Sequence, residues 1–146
     1  MYKYIKRGMD FAVAFVALLV LSPLMLIVSI LIKLNRDGPV LFKQKRPGIN
    51  GKIFTVYKFR TMSVRTHDEN GRELSDFERM SKIGNLLRKT SIDELPQFIN
   101  ILKGDMSFVG PRPERSCFYK EFEKYIHSFS HRLAVTPGLT ALAQVN

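Results

Sequence analysis

Hydrophobic residues are spread unevenly along this chain. Phe11 to Ile32 (FAVAFVALLVLSPLMLIVSILI) is a run of 22 residues without a charge, and the sequence around it is polar and basic. As a helix rising about 1.5 Å per residue, such a run covers a hydrocarbon core of about 30 Å. It exceeds the roughly 7–15-residue core of a signal peptide, and Lys33 follows without an Ala-x-Ala-like cleavage site, which disfavours a cleaved leader.

Two features argue for a segment that enters and leaves on one face. Ser22-Pro23 sits at its middle. Pro23 has no N–H for the Leu19 carbonyl and its ring crowds that turn, while the Ser22 hydroxyl can take up a freed backbone group. Both flanks are also basic, with Lys3, Lys6 and Arg7 before the run and Lys33, Arg36, Lys43, Lys45 and Arg46 after it. The positive-inside rule places both clusters on the cytoplasmic side if the segment is a re-entrant hairpin. A Pro-kinked single span is the alternative, because proline is tolerated in spanning helices.

Beyond the apolar run the periodicity changes. Asp37-Gly38-Pro39 is a turn signal. Val40–Phe42 and Ile53–Phe59 are rich in β-branched and aromatic residues and predict strands. Pro47-Gly48-Ile49-Asn50-Gly51 between them predicts a hairpin turn. Thr66 to Gly71 is a polar loop. Leu74, Phe77, Met80, Ile83, Leu86 and Leu87 then fall at helical spacing and predict one amphipathic helix ending near Lys89, weakened at Gly84. It either packs on a core or lies in a membrane interface. A second helix is expected from Ile92 or Pro96 to Lys103, with Gly104 as its stop. A third is expected over Ser116–Phe129, and Pro137-Gly138 marks a further turn.

Charge sharpens this picture. The net charge is +10, and Lys33 to Arg60 carries eight Lys or Arg against one Asp, whereas Thr61 to Met80 is net negative. Positive charge beside a bilayer-entering segment is attracted to anionic headgroups by about 1 kcal/mol per residue. Cys117 is the single cysteine, so no internal disulfide forms, which fits a reducing compartment. His67, His127 and His131 are scattered without zinc spacing, and no Walker loop, G-x-G-x-x-G or G-x-S-x-G is present. A nucleic-acid binder would need a basic face with exposed aromatics; the phenylalanines here fall on apolar helix or strand faces.

The candidate chemistry lies in Ser91-Ile92-Asp93-Glu94-Leu95-Pro96-Gln97-Phe98 and in Val109-Gly110-Pro111-Arg112-Pro113. Ser91-x-x-Glu94 matches a capping box, which would make Glu94 a structural residue. The functional alternative uses Asp93 and Glu94 as ionised carboxylates, able to ligate a metal or to attack phosphorus. Adjacent helical side chains diverge by about 100°, so the two acids would do different jobs. Arg112 is stiffened by proline on both sides and suits forked phosphate binding. Lys58 and Arg60 flank a predicted strand end, and Arg88 lies shortly before the two acids. All of these also have a plain reading as solvated surface charge.

Taken in order, several motifs resemble the bacterial sugar transferase family, the monotopic phosphoglycosyl transferases. They are Lys6-Arg7 through Ser22-Pro23, Arg46-Pro47-Gly48, Tyr57-Lys58-Phe59-Arg60-Thr61-Met62, Ser91 to Gln97, Leu102 to Ser107, Val109 to Pro113, Pro137-Gly138-Leu139-Thr140 and Ala143-Gln144-Val145-Asn146. The resemblance implies a re-entrant membrane helix broken at Ser22-Pro23. It also implies transfer of a phosphosugar from a UDP-sugar to a polyprenol phosphate, with UMP released. By the matching motif Asp93 is the nucleophile, forming an acyl-phosphosugar, and Glu94 is its dyad partner. Mg2+ is the implied cofactor, with Asp93 as ligand. Arg112 with Pro111, and Lys58, Arg60 and Arg88, are the implied grips on phosphate or nucleotide.

The expected architecture is thus α+β. Residues 1–36 form a re-entrant anchor, and residues 37–146 form a catalytic domain on the cytoplasmic face of a bacterial inner membrane. A short hairpin and amphipathic interfacial helices surround its core. Partners are a UDP-sugar, a polyprenol phosphate and membrane lipids, with no nucleic acid. The sequence departs from the family at Thr136, where a basic residue is common, and at Ala141, where glycine is usual. Relatives continue some tens of residues past the position of Asn146, and Pro113-Glu114-Arg115 looks like the exopolysaccharide branch, which often uses hexose-1-phosphate donors. The rival reading is a non-enzymatic basic monotopic adaptor in which Asp93-Glu94 only caps a helix.

Overall fold

The computed structural model describes residues 1–35 and 38–141; Arg36 of the basic flank, Asp37 of the turn signal and the Ala143–Asn146 motif lie outside them. Helix and sheet are mixed. One long apolar helix at the N-terminus precedes two small two-stranded sheets and a set of short helices. The chain divides into two units. One gathers Met1–Leu18, Lys43–Val56 and Gln97 onward, and the other gathers Leu19–Phe42 and Tyr57–Pro96.

Helix α1 (Tyr2–Asn35) contains Pro23 within it, so the Ser-Pro pair is accommodated inside one helical segment. The Ser22 hydroxyl donates to the Leu19 carbonyl at 2.8 Å, the acceptor that proline at 23 leaves without its N–H. Many of its apolar side chains are exposed, among them Phe11, Phe15, Val16, Leu19, Val20, Leu26, Ile27 and Ile30. By length and composition this helix can cross a membrane.

Strands β1 (Leu41–Pro47) and β2 (Ile53–Phe59) pair as the expected hairpin, with β1 longer than the pattern predicted. The connection is a 3-10 turn over Ile49–Gly51. Asn50 and Gly51 take positive φ of 55° and 75°, and the Gly48 N–H donates to the Lys52 carbonyl at 2.8 Å.

In the unit that holds Tyr57–Pro96, Val28, Ile32, Phe59 and Leu87 form a buried cluster. Met25, Val40, Leu41, Ile83, Ile92 and Leu95 pack against it. The single helix predicted over 74–89 is instead two: α2 (Asp76–Arg79) and α3 (Lys82–Lys89). Two serines cause the break. Ser75 forms a capping box with Glu78, and the Ser81 hydroxyl accepts from the Gly84 N–H at 2.8 Å, so each helix has its own start. Phe77 (89% exposed) and Leu86 (60% exposed) therefore do not join the core despite their spacing. Gly84 does not weaken α3; it lets the helix press against the Thr61 carbonyl, where a Cβ would overlap the oxygen.

In the other unit, α4 (Gln97–Lys103) ends at Gly104, whose φ is 90°, as expected. Arg7 donates to the carbonyls of Ile101 and, at 2.6 Å, Leu102, satisfying the last turn of α4. Lys6, Asp10 and Ser107 form a connected polar group. Fully buried Asn100 donates to the Thr55 carbonyl at 2.6 Å. Strands β3 (Ser107–Val109) and β4 (Gly138–Thr140) pair in parallel, with Ser107 opposite Gly138. Pro137-Gly138 thus opens a strand. Helix α5 (Ser116–Phe122) stops seven residues earlier than predicted. Ser128 turns the chain at φ 61° into a 3-10 segment, Phe129–Ala134, that folds Phe129 back onto Tyr119 and Phe122.

Candidate active site

The two acids do not open a capped helix. Ser91 adopts the left-handed region (φ 57°, ψ 17°) and makes no side-chain cap hydrogen bond, so the capping box suggested by Ser91-x-x-Glu94 is absent. This removes the cap on which the adaptor reading relied. After Ser91 a single 3-10 turn, Ile92–Glu94, carries both acids; the Glu94 N–H donates to the Ser91 carbonyl and the Leu95 N–H to that of Ile92.

Glu94 faces a different partner. Its Oε1 lies 2.8 Å from Lys58 Nζ near the end of β2, a pair formed across 36 residues of sequence. Both side chains are mostly buried, so solvent screens this pair less than a surface bridge. Arg88, in the last turn of α3, donates through Nε to the Thr61 hydroxyl at 3.0 Å and approaches the Met62 sulfur at 3.3 Å. Asp93 is buried. Burial pushes its carboxyl above the usual carboxylate range. Lys58 opposes that shift, the Glu94 charge adds to it, and Arg88 opposes it in turn. Lys58, Arg88 and Glu94 thus all act electrostatically on Asp93, and Thr61, not among the predicted site residues, is tied to them through Arg88.

The remaining predicted residues have other settings. Arg60 donates through Nε to the Pro39 carbonyl at 2.8 Å and lies over the Phe42 ring at 5.8 Å, so part of its function is to hold the chain entering β1. Pro111 and Arg112 belong to the unit containing β3 and β4, where their carbonyls accept from the Gly138 N–H and the Arg132 guanidinium. Ser22 and Pro23 lie within α1.

No three His, Cys, Asp or Glu side chains among the described residues cluster as a metal-binding set. With Glu94 engaged by Lys58, Asp93 is the carboxylate left to a Mg2+, an ion that keeps several waters and substrate phosphates in its octahedron and needs only one or two carboxylates from protein.

This grouping of a buried acid, a fixed ion pair and a tethered arginine falls in a chain whose residues 1–146 match the family model described as bacterial sugar transferase. The chain belongs to the bacterial sugar transferase family. It is 45% identical over 145 residues to a UDP-N-acetylgalactosamine-undecaprenyl-phosphate N-acetylgalactosaminephosphotransferase of Aeromonas hydrophila, covering 99% of this chain and 34% of the relative. It is 41% identical over 145 residues to a UDP-glucose:undecaprenyl-phosphate glucose-1-phosphate transferase of Escherichia coli (strain K12), covering 99% and 31%. An exopolysaccharide production protein PSS of Rhizobium leguminosarum bv. phaseoli is 43% identical over 146 residues, covering 97% and 73%. The chain therefore spans about a third of the length of the first two relatives.

Proposed function

We propose that this chain transfers a sugar-1-phosphate from a UDP-sugar to a polyprenol phosphate through a covalent aspartyl phosphosugar intermediate, the first membrane step of glycoconjugate or exopolysaccharide assembly. The supporting observation is the buried Asp93 in the field of the Lys58–Glu94 pair and of Arg88, within a bacterial sugar transferase sequence. The relatives' names supply the substrate classes.

In the first half-reaction an Asp93 carboxylate oxygen attacks the sugar-bearing phosphorus of the donor. The bond from that phosphorus to the bridging oxygen breaks, and UMP leaves with the electron pair. In the second half-reaction a phosphate oxygen of the polyprenol phosphate attacks the same phosphorus. The bond to Asp93 breaks, the carboxylate is regenerated, and the sugar leaves on a polyprenol diphosphate. Atoms and charge balance without any redox partner.

Asp93 must be ionised to attack. Its burial raises proton affinity, and the cations Lys58 and Arg88 favour the charged form. Glu94 holds Lys58, and Thr61 holds Arg88, so both cations are placed before charge develops on the phosphate. The family resemblance assigns Arg112 with Pro111, and Arg60, to the donor as well. Asp93 would also hold a Mg2+ carried in on the donor diphosphate, where the ion would neutralise charge on the departing UMP.

Helix α1 is the membrane element of this reading. Its basic flanks and the proline at its middle are the sequence features that favour a re-entrant course keeping both ends cytoplasmic, where a lipid phosphate meets a soluble nucleotide sugar; the helix itself runs on through the pair. The direct test is UMP release from a panel of UDP-sugars with undecaprenyl phosphate and Mg2+. Release that needs the lipid acceptor for turnover and is lost in Asp93→Asn is expected; full turnover by that variant would end the assignment.

A further inference from the structure

Three consecutive carbonyls of the Pro111-Arg112-Pro113 loop are each held by a different part of the same unit. The Pro111 carbonyl accepts from the Gly138 N–H of β4 at 2.9 Å. The Arg112 carbonyl accepts from the Arg132 guanidinium at 3.3 Å, and the Pro113 carbonyl from the Arg46 guanidinium at 3.1 Å. Just upstream the Gly110 N–H donates to the Thr140 carbonyl at 3.1 Å. The donors are themselves fixed. Arg46 also donates to Gln44 Oε1 at 2.7 Å, and Arg132 lies over the Phe129 ring at 4.9 Å. Gly138 must be glycine, because a Cβ there would overlap the Gly110 backbone.

Two prolines already restrict this loop, so its shape alone does not call for so many tethers. The choice of donors is also costly. Arg46 is half-buried; its pKa is lowered by burial, supported by Glu114, and lowered again by Arg115 and Arg112. Neutral donors would tie the same carbonyls without that repulsion. Glu114 offsets part of that repulsion, and a loop that gathers several guanidinium groups suits a phosphate anion.

We infer that Arg46 and Arg132 are positioning residues, whose guanidinium groups pin the Pro113 and Arg112 carbonyls so that Arg112 is held ready for a phosphate of the nucleotide-sugar donor. This rests on the reading above, in which Arg112 grips the donor. It gives Arg46-Pro47-Gly48 a purpose: the arginine reaches the loop, and Pro47 ends the strand that carries it. Neither arginine needs to touch substrate.

The test is a double-mutant cycle on the full chain in lipid nanodiscs, read by UDP-sugar turnover and by hydrogen exchange of the peptide Phe108–Arg115. Arg46→Met and Arg132→Met should each raise the donor KM about tenfold with kcat little changed, and Arg46→Lys should recover part of the loss. In an Arg112→Met background the same changes should add no more than about twofold. Amides of Gly110, Arg112 and Glu114 should exchange faster in both methionine variants, while those of α3 do not change. If either methionine variant fails to fold, its lysine counterpart supplies the comparison, because lysine keeps the charge and loses the fork. Equal losses with and without Arg112, or unchanged loop exchange, would overturn the inference. If the unaltered chain turns over no UDP-sugar, the functional reading fails by itself. The exchange measurement then decides the brace: faster exchange supports it and unchanged exchange overturns it.

Discussion

Lys58 Nζ and Glu94 Oε1 lie 2.8 Å apart, joining the end of β2 to the 3-10 turn that carries Asp93. The pair brings two opposing charges to bear on the neighbouring buried carboxylate. Lys58 favours the ionised form of Asp93, whereas Glu94 disfavours it. The two partners should therefore move the acid limb of activity in opposite directions. In Lys58→Met the limb of the kcat/KM profile should shift to higher pH, and in Glu94→Gln to lower pH. Each change should also lower kcat/KM by about 10–100-fold, because one removes a fixed cation and the other frees it. A pH–rate series on the three proteins checks this; shifts of the same sign would contradict it.

Asp93 should destabilise the fold that contains it. Its carboxyl has a higher pKa in the folded chain than the ordinary value of 3.8. Below that ordinary value the group is protonated in both folded and unfolded states, and the cost is absent. It grows as pH rises from there and is complete above the raised folded pKa. Asp93→Asn should therefore melt at a higher temperature than the parent at pH 7, with the advantage shrinking as pH falls toward 4. Thermal unfolding across that range is the measurement. A less stable asparagine variant at pH 7 would show that the carboxylate is a net stabilising group.

Gly84 offers a test with an inverted sign. In an ordinary helix interior, Gly→Ala gains about 1 kcal/mol. Here the added methyl meets the Thr61 carbonyl, so Gly84→Ala should lose about 1–3 kcal/mol through forced displacement. The same displacement would disturb the Thr61 hydroxyl that holds Arg88, so donor affinity should fall with stability. Denaturation midpoints and donor KM for the one variant measure both effects.

How far these relationships could be read from sequence depended on their range. Pro23 acts on a carbonyl four residues away, so the use of the Ser22 hydroxyl followed from local chemistry, and the observed bond to Leu19 is the expected one. Turn residues located the hairpin, and Gly104 located the end of α4. The pattern over 74–89 misleads because apolar spacing continues across Ser75 and Ser81, whose capping chemistry starts a separate helix at each. Ser91-x-x-Glu94 misled in the opposite sense. A capping motif needs an extended backbone at its first residue, and nothing local announced that Ser91 would be left-handed. Strands β3 and β4 are three residues each, too short for any period, and depend on a Gly110–Gly138 approach across the chain. The Lys58–Glu94 pair and the tethers from Arg46 and Arg132 likewise arise from tertiary contacts.

The course of α1 can be read by chemical access. With Cys117 replaced by serine, single cysteines at Lys3 and Lys33 flank the apolar segment. In inverted and right-side-out vesicles, an impermeant maleimide should label both positions from the cytoplasmic side. Labelling from opposite sides would establish a Pro-kinked span and remove the re-entrant part of the proposal. The Asp93 chemistry could survive that result only with the catalytic unit still facing the nucleotide sugar.

The most direct test of the central claim is the covalent intermediate itself. The chain is incubated in nanodiscs with a UDP-sugar and Mg2+ but no polyprenol phosphate, quenched in acid and digested for peptide mass spectrometry. A phosphosugar mass added to the peptide containing Asp93, absent in Asp93→Asn and discharged by undecaprenyl phosphate, is predicted. UMP release and product formation with an unmodified Asp93 peptide, or an adduct that persists in Asp93→Asn, would contradict the account.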